Sequence, residues 1–157
     1  TANDTTVVEG PDGFLLVRLV DKAWTEIDVK GTGPSFEPGG DRIVYGRDAA
    51  VYIYDFEDAA EHALGDGMWP RYLDDGRVLA YKDGSDGPGL YSITPGSGGW
   101  SYYGDPDPGA IGAPRWRLAP DGPRLLVDTG AGGSTLQAWS GPEETDWRFD
   151  SELDCGY

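Results

Sequence analysis

The stretch that decides the fold is "PRWRLAPDGPRLLV", residues 114–127. A proline, an aromatic, a Pro-Asp-Gly turn and an apolar run follow one another in that order. Close versions occur twice earlier, as "PSFEPGGDRIVY" from Pro34 and "PRYLDDGRVLAY" from Pro70. Aligned on Pro34, Pro70 and Pro114, the copies lie 36 and 44 residues apart. Two positions after each proline stands an aromatic (Phe36, Tyr72, Trp116), and the turn glycine follows as Gly40, Gly76 or Gly122. An apolar run comes next ("DRIVY", "RVLAY", "PRLLV"), then a polar loop and a second apolar stretch ("AVYIYDF", "GLYSIT", "STLQAWS"). "EHALG", "WSYYG" and "TDWRFD" are the candidates for a closing segment. Each unit thus reads as four short antiparallel strands.

The chemistry of the repeat explains its order. Proline fixes φ and lacks an N–H, so it suits the first residue of a strand. The aromatic fills the gap between neighbouring sheets and buries roughly 150–250 Å². Asp-Gly or Gly-Gly permits the positive φ of a tight hairpin. One such sheet cannot bury its own faces, so it needs copies of itself as neighbours. Helix signals are poor throughout. The one candidate, "DFEDAAEHALGDG", has alanine and glutamate but a feeble apolar face, and it ends at Gly65. The 12 prolines and 25 glycines sit between apolar runs, as many short strands joined by tight turns require.

This pattern resembles the β-propeller repeat of TolB-type and related WD-like bacterial proteins, over about residues 33–150. The fit is best in the third copy and weakest in the second, which lacks the second proline. The resemblance implies an all-β fold, a β-propeller-like array of about three full four-stranded antiparallel blades plus a partial N-terminal blade. The blades fall at about 33–66, 67–112 and 113–150, after a partial blade at 5–32 and before a tail at 151–157. The alternative is a β-sandwich whose hairpins look alike. Propellers use roughly 4–8 blades, and 157 residues supply just under four. A small closed ring, a half-ring that pairs with another copy, or part of a longer chain would each fit. Because open sheet edges are normally covered, the expectation is an arc completed by another chain or by further residues. TolB-type propellers present one face of the ring to a protein partner, so the resemblance also implies a protein-binding module.

The formal charge of −16 comes from 28 acids against 12 bases. Phosphate binding needs clustered Lys and Arg, so nucleic acid and anionic membrane are poor partners. A basic partner, drawn by long-range steering, is the natural complement. No apolar stretch approaches the length of a membrane-spanning helix. The single cysteine, Cys155, cannot form an internal disulfide, and no Cys/His cluster is present for zinc. The opening "TANDTT", without Met, fits a secreted or periplasmic protein whose signal peptide is gone, and fits a trimmed chain equally.

No catalytic constellation emerges, and the reading is non-enzymatic. The only histidine is His62, and no G-x-S-x-G elbow, HExxH, P-loop or dinucleotide fingerprint accompanies it. In a four-strand blade the second-to-third and fourth-to-first connections lie on one face. That face gathers Arg47, Asp48, Asp66, Trp69, Lys82, Asp83, Asp86, Asp105 and Asp107. Loops on a rigid scaffold are common binding positions. Asp105 and Asp107 in "DPDPG" have a spacing reminiscent of calcium loops but lack the distal Glu. They are a weak calcium candidate, and no other cofactor is expected. Trp69 stands where the other copies carry Gly33 and Ala113. It reads either as core packing or as a platform for a partner side chain or a sugar ring. Four functions remain open: a module for a protein partner, a carbohydrate-binding lectin-like module, a self-associating structural subunit, and the non-catalytic part of a larger enzyme.

Overall fold

The computed structural model describes residues 5–10, 13–20, 23–104, 115–118, 124–128, 135–140 and 148–154. The described elements are all strands. They are β1 (Thr5–Gly10), β2 (Gly13–Val20), β3 (Ala23–Phe36), β4 (Arg42–Arg47), β5 (Ala50–Asp55), β6 (Ala60–Asp66) and β7 (Met68–Tyr72). There follow β8 (Val78–Gly84), β9 (Gly87–Ile93), β10 (Ser101–Gly104), β11 (Arg115–Leu118), β12 (Arg124–Asp128), β13 (Thr135–Ser140) and β14 (Arg148–Asp154). Every sheet is a meander in chain order: one of six strands from β1 to β6, then two of four, β7 to β10 and β11 to β14. Among the described residues there is no helix and no closed barrel, and the antiparallel four-strand unit expected of a propeller-like array is present. The segment "DFEDAAEHALGDG" is a hairpin instead of a helix: β5 ends at Asp55, a turn covers residues 56–59, and β6 begins at Ala60. Asp55 nucleates that turn by accepting the backbone N–H of Glu57 at 2.9 Å, the local bonding for which Asp is favoured in turns.

The chain divides into two compact units, Thr1–Tyr81 with Ser92–Gly99, and Lys82–Tyr91 with Trp100–Tyr157. In the first unit the repeat is visible in the hydrogen bonds. Glu37 N–H bonds Arg42 C=O and Gly40 N–H bonds Glu37 C=O; one repeat later Leu73 N–H bonds Arg77 C=O and Gly76 N–H bonds Leu73 C=O. The two turn glycines have φ of 78° and 81°, a region that L-residues avoid.

Strand β3 departs from expectation. "KGTG", residues 30–33, reads as a connection between units, yet β3 runs unbroken from Ala23 to Phe36. Its first half pairs with β2, its second half with β4, and register shifts at both ladders let it turn from one to the other. The two halves of the six-stranded sheet then face one another through Phe14, Leu16, Val29, Ile43 and Tyr45, all buried. The opposite face of the second half meets β7. There Arg71 donates to the carbonyls of Gly33 at 2.7 Å and Pro34 at 3.2 Å, and Tyr72 N–H donates to Ser35 Oγ at 3.1 Å. Pro70 and Tyr72 are buried in this seam, as the repeat's chemistry requires.

In the second unit, the tip of the β8–β9 hairpin is shaped by Tyr91. Its hydroxyl donates to Gly87 C=O at 2.7 Å and accepts Asp86 N–H at 3.1 Å. The third sheet pairs β11 with β12, β12 with β13 and β13 with β14, with a bulge between Ala138 and Trp139.

Candidate functional site

A cleft of about 380 Å³ opens in the first unit at the β4–β5 turn end. Lys30 and Thr32 of β3, Arg47 and Asp48 at the turn, and Met68 and Trp69 at the start of β7 supply its side chains. Arg47 and Ala50 are directly paired, leaving a two-residue connection in which Asp48 and Ala49 have φ of 52° and 59°. Positive φ at both central residues is the type I′ arrangement that suits the twist of a hairpin.

Arg47 is held tightly. Its guanidinium makes a fork to Glu61, Nη1 to Oε2 at 3.0 Å and Nη2 to Oε1 at 2.6 Å, and lies 4.3 Å from the centroid of the Tyr52 ring. Tyr45, wholly buried, donates its hydroxyl to the same Glu61 carboxylate. The Arg47 hydrogen bonds hold Glu61 below the ordinary glutamate range against the opposing effect of burial. Burial, reinforced by Glu61, pushes the Tyr45 hydroxyl well above its ordinary value. Glu61 therefore stabilises the fold above its unfolded pKa of about 4.3, and that contribution fades as pH falls through its lower folded value. A Glu61→Gln variant is expected to be less stable than wild type at neutral pH, with the gap closing in acid. Thermal melts across the acidic range check this; a gap independent of pH contradicts it.

Trp69 carries an unusual backbone. Its φ is +51°, beside the register shift between Met68 and Arg71 in the β7–β8 ladder. A bulky residue at positive φ is a genuine outlier, at a cost on the order of 1–3 kcal/mol. The equivalent residue of the preceding repeat, Gly33, has φ +58°. The same backbone is thus built once with the residue that adopts it freely and once with the largest side chain. Trp69 lies against Tyr81, ring centroids 6.0 Å apart, and lines the cleft half-buried.

Of the face residues expected from the sequence, Arg47, Asp48 and Trp69 line this cleft. Asp66 is exposed at the end of β6, opposite Ala50. Lys82, Asp83 and Asp86 belong to the second unit, where Lys82 Nζ stands 5.3 Å from the Trp100 ring centroid and 5.7 Å from that of Tyr91. Asp105 and Asp107 lie outside the described residues. Among the described residues no three acid, His or Cys side chains group as metal ligands, and no helix is long and apolar enough to cross a membrane. Sequence reasoning missed Lys30 and Thr32, although "KGTG" falls on the expected face, and it missed Glu61, whose meeting with Arg47 depends on pairing across β5.

A second cleft in the same unit, about 470 Å³, contains Arg42, Asp55, Asp58, His62 and Ser97. His62 is exposed on β6, an edge strand. Asp55 is bound to Arg42 at 2.9 Å. Burial raises the Asp55 carboxyl, but Arg42 and the turn N–H groups outweigh it and leave it below the ordinary range.

No protein-family model matches the chain, and no curated protein matches its sequence. Among solved structures it is similar to a candidate 6-phosphogluconolactonase from Bacteroides uniformis, with a TM-score of 0.62 and 13% identity. The match covers 96% of this chain and 54% of that one, so the chain spans about half the length of that structure. The likeness shows the fold, a β-propeller-like arrangement of antiparallel sheets.

Proposed function

We propose that this chain is a propeller-like binding module that takes a protein partner at the cleft around Trp69, in the manner of TolB-type propellers. The observation that carries this reading is the backbone of Trp69. A tryptophan sits at φ +51° where the preceding repeat uses glycine at +58°. Strain of this kind persists where a side chain has a use other than stability. Arg47 is engaged by Glu61 and the Tyr52 ring, so it shapes the wall and leaves Trp69, Lys30 and the exposed Asp48 to meet the ligand. With a charge of −16 over the chain, a basic partner segment is attracted from a distance, and the indole supplies the apolar anchor.

The test is capture of the partner by tagged protein at low and raised salt, for wild type, Trp69→Gly and Asp48→Lys. Trp69→Gly is expected to fold with stability within about 1 kcal/mol of wild type, since relief of strain offsets lost packing. Both variants should lose the partner, and raised salt should weaken capture by wild type. Equal capture by all three proteins, or unfolding of Trp69→Gly, contradicts the reading.

A second reading comes from the structural neighbour, whose name points to hydrolysis of a phosphorylated sugar lactone. Lys30 in the cleft is the group that would meet a phosphate. Hydrolysis of 6-phosphogluconolactone by the chain, lost in Lys30→Ala, would replace the binding-module reading with that one.

A further inference from the structure

We propose that the second cleft of the first unit binds a primary ammonium group on an aliphatic stem, with Asp58 as its counter-charge. The cleft lies at the opposite end of β4 and β5 from Trp69, and the inference does not rest on the partner proposed there.

Strand register builds one wall of this cleft. β5 carries Ile53 and Asp55 two residues apart, hence on one face of the sheet. His62 stands directly opposite Ile53, and Arg42 directly opposite Asp55. Opposed residues of an antiparallel pair share a face, so these four side chains form a continuous surface. Across from them are Ile93 at the end of β9, and Pro95 and Ser97 in the turn that follows, all within the same unit. Ile53 and Ile93 are 3% and 6% exposed, and Leu64 and Pro95 are half-buried. The volume of about 470 Å³ is that of a small-ligand site, and the isoleucines give an aliphatic chain an apolar surface to cover.

The charges select the ligand. Arg42 is already answered: Nε donates to Asp55 Oδ2 at 2.9 Å, and Nη1 lies 3.9 Å from Glu37 Oε1. The other Asp55 oxygen accepts Glu57 N–H at 2.9 Å and Asp58 N–H at 3.4 Å, which fixes the turn that carries Asp58. Among the described residues, neither the exposed Asp58 carboxylate nor the exposed His62 ring has a hydrogen-bond or ionic partner. The cleft therefore holds one unanswered negative charge, in a chain whose net charge is −16. An anion is repelled, and a neutral apolar molecule gains nothing from Asp58. An ammonium donates to Asp58 in a charge-assisted bond and finds an acceptor nitrogen in the imidazole. Its methylenes lie along the apolar lining, as the stems of long basic side chains do. A free amine and a lysine side chain share this chemistry.

Ser97, His62 and Asp58 are the residue types of a nucleophilic triad. Ser97 Oγ, however, donates to Thr94 C=O at 2.6 Å, and among the described residues no hydrogen bond reaches the His62 ring. The cleft is therefore assigned binding and no reaction.

The experiment is an NMR titration of wild type, Asp58→Asn and Asp74→Asn with n-pentylammonium, read from the backbone amide shifts. Asp74 is exposed in a turn of the same unit, so its variant removes an equal charge outside the cleft. Wild type and Asp74→Asn should bind alike, with shifts at residues 53–63 and 93–97. Asp58→Asn should bind roughly fivefold weaker or more. Lengthening the probe from methylammonium to n-pentylammonium should tighten binding about twofold to fourfold per methylene. The neutral 1-pentanol, which keeps the chain and lacks the charge, should bind more weakly than n-pentylammonium. Tighter binding of Nα-acetyl-lysine amide than of n-pentylammonium assigns the cleft to a lysine of another protein; the reverse order assigns it to a free amine. No shifts in wild type, equal affinity in Asp58→Asn, or 1-pentanol binding as tightly as the ammonium overturns the proposal. Shifts confined to residues 30–32, 46–49 and 67–69 overturn it too, since they place the ammonium at the Trp69 cleft and leave the reading of that cleft standing.

Discussion

A Tyr45→Ala variant is expected to lose about 3–5 kcal/mol of folding stability, the range for deleting a large buried aromatic. Tyr45 joins three parts of the first unit. Its ring meets Phe14 edge-on at 5.4 Å and stacks on Tyr52 at 5.9 Å. Its hydroxyl holds the Glu61 carboxylate that in turn fixes Arg47. Truncation opens a cavity between the two halves of the six-stranded sheet and leaves Glu61 with the guanidinium alone. Tyr45→Phe separates the two roles. It retains the ring contacts and removes only the hydrogen bond, so its cost should be about 1–2 kcal/mol. Denaturant unfolding of both variants measures this. Equal losses for the two would mean that the hydroxyl, and not the ring, holds the halves together.

Gly31→Ala is the second large effect. β3 crosses from one half-sheet to the other here, and a Cβ at Gly31 would stand 2.6 Å from Gly46 C=O and 2.6 Å from Tyr45 Cδ2. Neither can retreat, since one is backbone in a ladder and the other is the buried ring just described. The expected loss is about 3 kcal/mol, at the upper end for overpacking, or roughly 6–12 °C in Tm for a chain of this length. Gly46→Ala is the control. Its Cβ would meet Pro70 Cδ and Thr32 Oγ1 at 3.5 Å, ordinary contact distances, so its stability should change by about 1 kcal/mol or less. If both variants lost stability alike, the close crossing at Gly31 would not be what positions β3.

The two glycines also show why some of the fold was legible in the sequence and some was not. Gly40 and Gly76 announce themselves, because each follows a proline and an aromatic at fixed spacing and each closes the same turn. Gly31 has no such signal. "KGTG" looks like a loop, and only the packing of Tyr45 beneath it shows that a continuous strand bends there. The helix candidate at 55–67 fails for a related reason. Its alanines favour a helix, but Asp55 captures the backbone of the next turn and β5 offers a ladder to Ala60–Asp66, so pairing overrides propensity.

At the candidate site the division is the same. Arg47, Asp48 and Trp69 were readable because hairpin connections in a repeat fall on one face. The Glu61 clamp was not, since β5 separates Glu61 from Arg47 and no local pattern marks the meeting. Nor does spacing show that Trp69 adopts a glycine's backbone. The substitution of Trp for Gly between aligned copies was visible; its strain was not.

The most direct test of the binding account is hydrogen exchange of the chain with and without the captured partner. The account predicts slowed exchange at residues 30–32, 46–49 and 67–69, which surround the cleft. Protection confined to the β8–β9 hairpin, or none at the cleft in the presence of a bound partner, would contradict it.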